Sequence, residues 1–413
     1  METTRAYKYR IYPDAKRQKE IDKQILLAKE FYNLILEKAR KEYDKTKSSK
    51  ISRKTFNRYM REIIGEDNKY LKIYSQTRQD IRDRLKKAYE NFFKRVERRK
   101  KGEKIEVGFP RFKSRDRYYS IIYPQDNGSA FKIEKDRLRV SRIGTMKIEL
   151  HRKIEGTIKT LTIKREAGNY YAIFSTEKEI NVPKIEDINP VGIDVGLINL
   201  AALSDGTFIK KPNFRKNAQK GIAKWQRIVA RREKGSKNRE KAKLQLQKEY
   251  QCANNQQNDY LHKATNQLIH SGYTSFAVED LNINNMVKNH HLANSIQSAS
   301  WSKFKQLLSY KAESAGMKVI EVDAKGTSKQ CSNCGNIQDI KLSERTYICN
   351  RCGMHKDRDT NAAINILEKA REGHSQRYAR GDMASTIPDQ QELQATSLKQ
   401  EDTLQIATEA HTL

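Results

Sequence analysis

The stretch CSNCGNIQDIKLSERTYICNRCGMHKDRDTNAAINIL, residues 331–367, decides how this chain is read. Its two Cys-x-x-Cys pairs, Cys331/Cys334 and Cys349/Cys352, are separated by 14 residues. Each pair fits a tight knuckle whose thiolates face one ion. Four sulfurs then close a tetrahedral zinc shell with no open position, the arrangement of a structural site. Gly335 and Gly353 follow the pairs directly, where a knuckle needs a residue tolerant of positive φ. The alternatives are two unrelated reduced pairs, or disulfides. The chain has five cysteines in 413 residues and opens with METTRAYKYRIYP, which lacks an apolar leader segment. Zinc is therefore expected rather than disulfides.

Seven residues after Cys352 stands Asp359, in the run Asp357-Arg358-Asp359-Thr360-Asn361-Ala362-Ala363. Ala363, Ile366, Leu367 and Ala370 then mark one side of a helix. Asp before an apolar-periodic run is a common N-cap, and taken alone Asp359 reads that way. Two carboxylates upstream stand in matching contexts. Val191-Gly192-Ile193-Asp194-Val195-Gly196 is a strand whose apolar run Asp194 interrupts between two glycines. A buried Asp needs a cation or donors; an Asp that merely fixes the hairpin closed by Ser204-Asp205-Gly206 is the alternative. Tyr273–Leu281 is an apolar strand containing Glu279 and Asp280, which alternation sends to opposite faces. Three carboxylates from distant segments at one sheet edge would make a two-ion Mg²⁺ site, or a Mn²⁺ one, suited to phosphodiester hydrolysis. No His pair or Ser/Cys nucleophile competes. His290-His291 falls in an expected loop (288–300), and His262 reads as ordinary surface. Trp301, Phe304, Leu308 and Ala312 define a helix stopped at Gly316, and MKVIEVD (317–323) a further strand.

Upstream, AYKYRIY (6–12) reads as a strand ended by Pro13. Ile21, Ile25, Ala28, Tyr32, Ile35, Ala39 and Tyr43 then follow a helical spacing. KTKSSKISRK is a polar break, and a second helix is expected over about 76–97, ending in a basic run at 94–101. From 104 to 178 the period changes to two. KIEVGF, YYSIIY, SAFKIEK/RLRVSRI, MKIELH, TIKTLTIK and NYYAIFS read as strands, with hairpin tips at Asp136 and Gly168-Asn169. Such strands suggest a small barrel that binds oligonucleotides. Phe112, among Arg111, Lys113 and Arg115, either stacks a base or packs on the barrel rim. Residues 215–265 are helical and basic. The aromatic-free tail beyond Tyr378 is expected to be disordered.

Lys plus Arg total 82 against 51 acidic residues, a net charge of +31. That excess suits a polyanion such as nucleic acid. A membrane is the other polyanion, but mean hydropathy is −0.89 and no apolar run approaches the roughly 20 residues of a spanning helix. A cytoplasmic setting is expected.

GIDVGLINLAALSDG, VEDL and DRDTNAAINIL around a four-Cys ribbon resemble the three split motifs of the RuvC-like nuclease domain of the TnpB family, transposon-encoded relatives of the small type V CRISPR effectors. YKYRIYP, GFPRFKSR, the Trp301–Tyr310 helix and TSxxCSxCG resemble the same family. The resemblance spans about residues 5–370. It implies an α+β multidomain chain. An N-terminal β-barrel wedge (1–13 and 104–185) is interrupted by a helical recognition lobe (14–103). An RNase H-like domain (186–325 and 355–372) carries the zinc ribbon (326–354), and 373–413 is a tail. By position it makes Asp194, Glu279 and Asp359 the catalytic Mg²⁺ ligands, with Asp359 chosen over Asp357 because the ligand stands two residues before Asn361. It further implies a guide RNA, double- and single-stranded DNA as target, and a monomer in the RNA complex. Gly326 departs from the pattern, where an aromatic often stands; a small effect on ribbon packing is expected. The expected function is an RNA-guided DNA endonuclease in which protein reads a short flanking motif and base pairing reads the rest. Rivals are a binding regulator of transposition that does not cut, a guide-independent nuclease, and a small type V CRISPR effector of the same chemistry.

Overall fold

Tyr7, Tyr9 and Ile11 alternate with Lys8, Arg10 and Tyr12, and this opening segment forms strand β1 (Glu2–Tyr12) with the first set buried. The structure is a computed structural model. It describes residues 2–46, 52–114, 118–124, 128–183, 185–281, 283–286, 293, 295–296, 299–341 and 344–380. The chain divides into two compact units, Met1–Asn181 and Val182–Leu413.

In the first unit β1 is followed by helix α1 (Ala15–Thr46), whose Ile21, Ile25, Ala28, Tyr32, Ile35 and Ala39 are all buried as the spacing predicts. A helix the sequence reading passed over follows, α2 (Arg53–Glu66). Its start is a side-chain cap, the Ser52 hydroxyl accepting the Thr55 N–H at 3.2 Å. Phe56, Tyr59, Met60 and Ile63 then bury one face. A 3₁₀ turn (Asn68–Lys72) leads to α3 (Ser75–Lys100). The strands β2 (Ser120–Pro124), β3 (Phe131–Glu134), β4 (Arg137–Val140), β5 (Gly144–Glu149), β6 (Thr157–Glu166) and β7 (Asn169–Glu179) complete the unit.

These strands and β1 form one antiparallel sheet in the order β2-β6-β7-β1-β5-β4-β3. Among the described residues β2 and β3 remain its two edges, so the small barrel expected here takes an open, half-barrel form. The reason is that helices cover its apolar face. Tyr9, Phe174 and Ile121 share one core with Phe31, Phe56 and Leu85, and Thr77 Oγ1 of α3 donates to Ile122 O of β2 at 2.8 Å. Each such buried side chain contributes about 1.5–3 kcal/mol, so packing rather than helix propensity holds the long helices. KIEVGF (104–109) joins no ladder. Its Phe109 is drawn onto the helices instead, with ring centroids 4.9 Å from Phe92 and 5.1 Å from Tyr89. Phe112 is exposed rather than packed, beside Lys113, whose backbone is clamped from both sides by the Asn33 amide.

The second unit runs β8 (Pro190–Val195), β9 (Asn199–Leu203), β10 (Phe208–Lys210), α4 (Phe214–Arg231), α5 (Lys237–Ile269), β11 (Ser275–Glu279), α6 (Ile283–Met286), α7 (Trp301–Ser314), β12 (Lys318–Val322), β13 (Thr346–Ile348), β14 (His355–Asp357) and α8 (Arg358–Arg380). The sheet order is β10-β9-β8-β11-β12. β8, β9 and β10 form an antiparallel meander, while β11 lies parallel to both β8 and β12. One face packs Val191, Ile193, Phe276 and Val278 against Leu261 and Leu268 of α5 and Trp301, Phe304 and Leu308 of α7. On the other face Ala277 and Val322 pack against Ile366, Leu367 and Ala370 of α8.

Helix α7 ends as expected at Gly316, which adopts φ +81°; a Cβ there would stand 2.0 Å from Pro183 O, so only glycine fits. The loop expected over 288–300 lies mostly outside the described residues, as do His290 and His291. Helix α8 continues to Arg380, through the start of the tail set at 373 and two residues past Tyr378, beyond which disorder was expected; residues 381–413 lie outside the described residues. No described helix is long and apolar enough to cross a membrane.

Candidate active site

Alternation along β8 and β11 fixes where their carboxylates go. Val191 and Ile193 enter the core under α5 and α7, so Gly192 and Asp194 face α8; in β11 Phe276 and Val278 enter that core, so Ala277 and Glu279 face α8. The two strands pair in parallel with Ala277 opposite Gly192 and Val278 opposite Ile193. One more step along the ladder brings Glu279 level with Asp194. Asp280 falls on the opposite side, where Lys305 of α7 reaches it at 3.4 Å and Glu321 at 2.6 Å.

Asp359 comes from the first turn of α8. It is not the cap of that helix. Asp357 Oδ1 accepts the backbone N–H groups of Asp359 (2.9 Å) and Thr360 (3.0 Å), the role the sequence left open to Asp359. The Asp359 carboxylate is therefore spared that duty. It stands at the end of β8, with Oδ2 3.8 Å from the point where a Cβ on Gly196 would lie. Gly192 allows the approach. A Cβ on it would meet Ala363 O at 2.0 Å and Leu367 Cβ at 3.0 Å, so α8 lies directly on the β8 backbone.

The three carboxylates share one field. Burial pushes the Asp194 carboxyl well above its usual range, and Glu279 and then Asp359 push it further, against the pull of Arg358. Glu279 is raised by burial, opposed chiefly by a hydroxyl bond from Thr327. Asp359 is raised by burial and by Asp357, opposed by Arg345 and Arg358. Hard oxygen donors that are costly to ionise together are a fitting shell for Mg²⁺ or Mn²⁺. Among the described residues they are not gathered within 4.8 Å of one another, a spread reached only by the four cysteines.

Four supporting residues, Thr327, Asn361, Asn365 and Trp301, make bonds around the site that their sequence contexts did not reveal. Buried Thr327 donates its hydroxyl to Glu279 Oε1. Asn361 and Asn365, one helical turn apart on α8, donate to Gln330 O at 2.8 and 2.7 Å, and Asn365 also to Thr327 O at 2.8 Å. Trp301 Nε1 of α7 donates to Gly196 O at 3.1 Å, holding the end of β8. Buried Asn residues with no apolar partner pattern do not announce such partners in a linear reading.

Cys331, Cys334, Cys349 and Cys352 place their sulfurs within 4.8 Å of one another. Both knuckles are built alike. Gly335 N–H donates to Cys331 O and Gly353 N–H to Cys349 O, each at 3.0 Å, while Cys331 N–H reaches Asn336 O at 2.8 Å and Cys349 N–H Met354 O at 2.9 Å. A bond from the Met354 backbone N–H and one from Asn333 bring the Cys352 thiol down to about 6. Four sulfurs this close suit a tetrahedral cation. Gly326 takes φ +84° in the turn leading to the ribbon, a conformation an aromatic residue would adopt only under strain.

The family description OrfB_IS605 ("Probable transposase") matches residues 173–290, HTH_OrfB_IS605 ("Helix-turn-helix domain") residues 1–48, and the Cas12f1-like TNB domain residues 301–366. A Streptomyces pristinaespiralis protein named as a candidate RNA-guided DNA endonuclease is 30% identical over 372 residues, 88% of each chain. The chain belongs to the TnpB family. A second relative, InsQ of Escherichia coli (strain K12), also named as a candidate RNA-guided DNA endonuclease, is 32% identical over 306 residues, 70% of this chain and 72% of InsQ. The fold resembles that of a Cas12f1 chain solved with sgRNA and target DNA, with a TM-score of 0.52 at 14% identity over 89% of this chain and 99% of that one. The family's helix-turn-helix label does not describe the first 48 residues here: the described part is β1 and the single helix α1.

Proposed function

We propose that this TnpB-family chain is an RNA-guided DNA endonuclease of the transposon-associated type, cutting target DNA at a RuvC-like site built from Asp194, Glu279 and Asp359. The observation that carries the reading is the adjacency of β8 and β11. It sets Asp194 and Glu279 level on one sheet face under the start of α8, close enough that Glu279 and Asp359 both raise the Asp194 carboxyl. The sheet order, three antiparallel strands followed by two parallel ones with helices on both faces, supports an RNase H-like assignment. The relatives' names support RNA guidance and DNA cleavage.

Two divalent ions, when bound, would supply an activated water and charge stabilisation at the leaving 3′-oxygen. The chain's part is to hold hard oxygens for them. Asp194 would offer its oxygens from near the end of β8, Glu279 would be aimed by Thr327, and Asp359 would be delivered by a helix whose cap duty falls to Asp357. The four cysteines would hold a structural zinc that fixes the segment between β12 and α8. Basic surfaces would hold a guide RNA and its heteroduplex by shape and backbone charge, with the chain acting as a monomer in the RNA complex, in the cytoplasm. Cleavage of a matched DNA duplex by the purified chain with its co-purifying RNA tests the proposal. Asp194→Ala should lower the Mg²⁺-dependent rate about 10³-fold or more, and RNase treatment beforehand should abolish cutting. Unchanged cutting by Asp194→Ala overturns the site; cutting that survives RNase overturns guidance.

A further inference from the structure

Thr327 joins two parts of the second unit that the sequence lists separately. It is buried, 1% exposed, at the entrance to the zinc ribbon. Its hydroxyl donates to Glu279 Oε1 and lies 3.2 Å from Ala324 O. Its carbonyl accepts from Asn365 Nδ2 at 2.8 Å, and Asn365 is itself 5% exposed. The bonding then continues into the ribbon. Asn365 and Asn361 both hold Gln330 O, and Asn361 Oδ1 accepts the N–H of Ser332, which stands between Cys331 and Cys334, at 2.9 Å. Lys369, one turn beyond Asn365, adds bonds to Lys325 O (2.5 Å) and Asp323 O (3.3 Å). One face of α8 thus bonds the backbone between 323 and 332 at Asp323, Lys325, Thr327, Gln330 and Ser332, while the first turn of the same helix carries Asp359.

We propose that Thr327 is a positioning residue for Glu279, and that through it α8 and the zinc ribbon set the spacing between Glu279 and Asp359. The inference rests on the reading of these carboxylates as metal ligands. Glu279 is the last residue of β11; its backbone is held by pairing with Val322 of β12, but the ladder does not fix its side-chain torsions. A donor on a rigid neighbour removes that freedom. Such partners of ligating carboxylates typically change metal affinity or activity 10–100-fold when lost. Because the donor is bonded to the same helix that carries Asp359, a shift of the ribbon would move both ligands together.

Mn²⁺ binding to the zinc-loaded full chain, freed of RNA and followed by electron paramagnetic resonance, tests this without relying on activity. Thr327→Val, which keeps the shape and removes the donor, should weaken Mn²⁺ binding about 10–100-fold with zinc content unchanged. Thr327→Ser should restore most of the affinity. The double variant Thr327→Val/Glu279→Gln should bind no more weakly than Glu279→Gln alone. If zinc content falls in Thr327→Val, Thr327→Ala removes the same donor without placing a methyl against the carboxylate, and the same weakening is expected. Parental Mn²⁺ affinity in Thr327→Val beside a weakened Glu279→Gln would overturn the positioning role and leave the ligand reading intact. Parental affinity in Glu279→Gln would overturn the ligand reading itself. Additive losses in the double variant would show Thr327 acting elsewhere.

Discussion

At the scale of single residues, Asp194 is a buried carboxylate facing two others. Its carboxyl is raised first by burial and then by Glu279 and Asp359, so the folded chain holds that proton more tightly than the unfolded chain. The sign follows: the penalty is absent below the ordinary carboxylate range and grows as pH rises through the raised value. In buffer free of divalent ions, Asp194→Asn should therefore melt at a higher temperature than the parent at pH 7. The difference should shrink toward pH 4, as read by calorimetry on the zinc-loaded chain. Gly192 is the geometric counterpart. Gly192→Ala sets a methyl 2.0 Å from Ala363 O, and neither β8 nor α8 can yield without moving a carboxylate. A loss of about 1–3 kcal/mol is expected, with cleavage reduced further than stability explains; an unchanged rate would show that α8 does not set the site. Asp194 was legible because an acid in an apolar strand is anomalous. Thr327 was not, because a hydroxyl beside a cysteine motif looks like ordinary loop polarity until its partner is seen.

Among the elements, the ribbon has a small apolar cluster beside four clustered cysteines, so a bound zinc is expected to hold it. Its buried apolar cluster is little more than Tyr347 with Cys331 and Cys349, too small to fold alone. Zinc removal by a chelator should release one zinc per chain and unfold 326–354. It should also weaken Mn²⁺-supported cleavage, while far-UV circular dichroism, dominated by the long helices, changes little. Full activity after zinc loss would show that the ribbon is a bystander. Helix α2 and segment 104–109 show how element readings fail in opposite directions. The cap at Ser52 and the Phe56–Ile63 spacing were present in sequence, masked by the basic run before them. KIEVGF has strand composition, yet Phe109 finds a better home among Tyr43, Tyr89 and Phe92 than any ladder offers. Packing overrides β-propensity where an aromatic cluster is within reach.

For the whole molecule, a net charge of +31 sets how nucleic acid is held. Guide RNA should dissociate steeply with salt: for about 6–10 phosphate contacts, affinity falls about 10³–10⁵-fold between 50 and 200 mM. Filter binding at graded salt measures the slope, and a flat response would remove backbone charge from the account. Charge, the cysteine spacing, the strand periods and the three acidic contexts are properties of residue type and order, so the sequence by itself determined the nucleic-acid class, the ribbon and the strand and helix order of the second unit. The open form of the first sheet, the transfer of cap duty from Asp359 to Asp357, and the grip of α8 on the ribbon entrance were decided only by tertiary structure. Each depends on which surface arrives against which. A linear chain states what a residue can bond, and only the packed fold states which of its possible partners lies within about 3 Å.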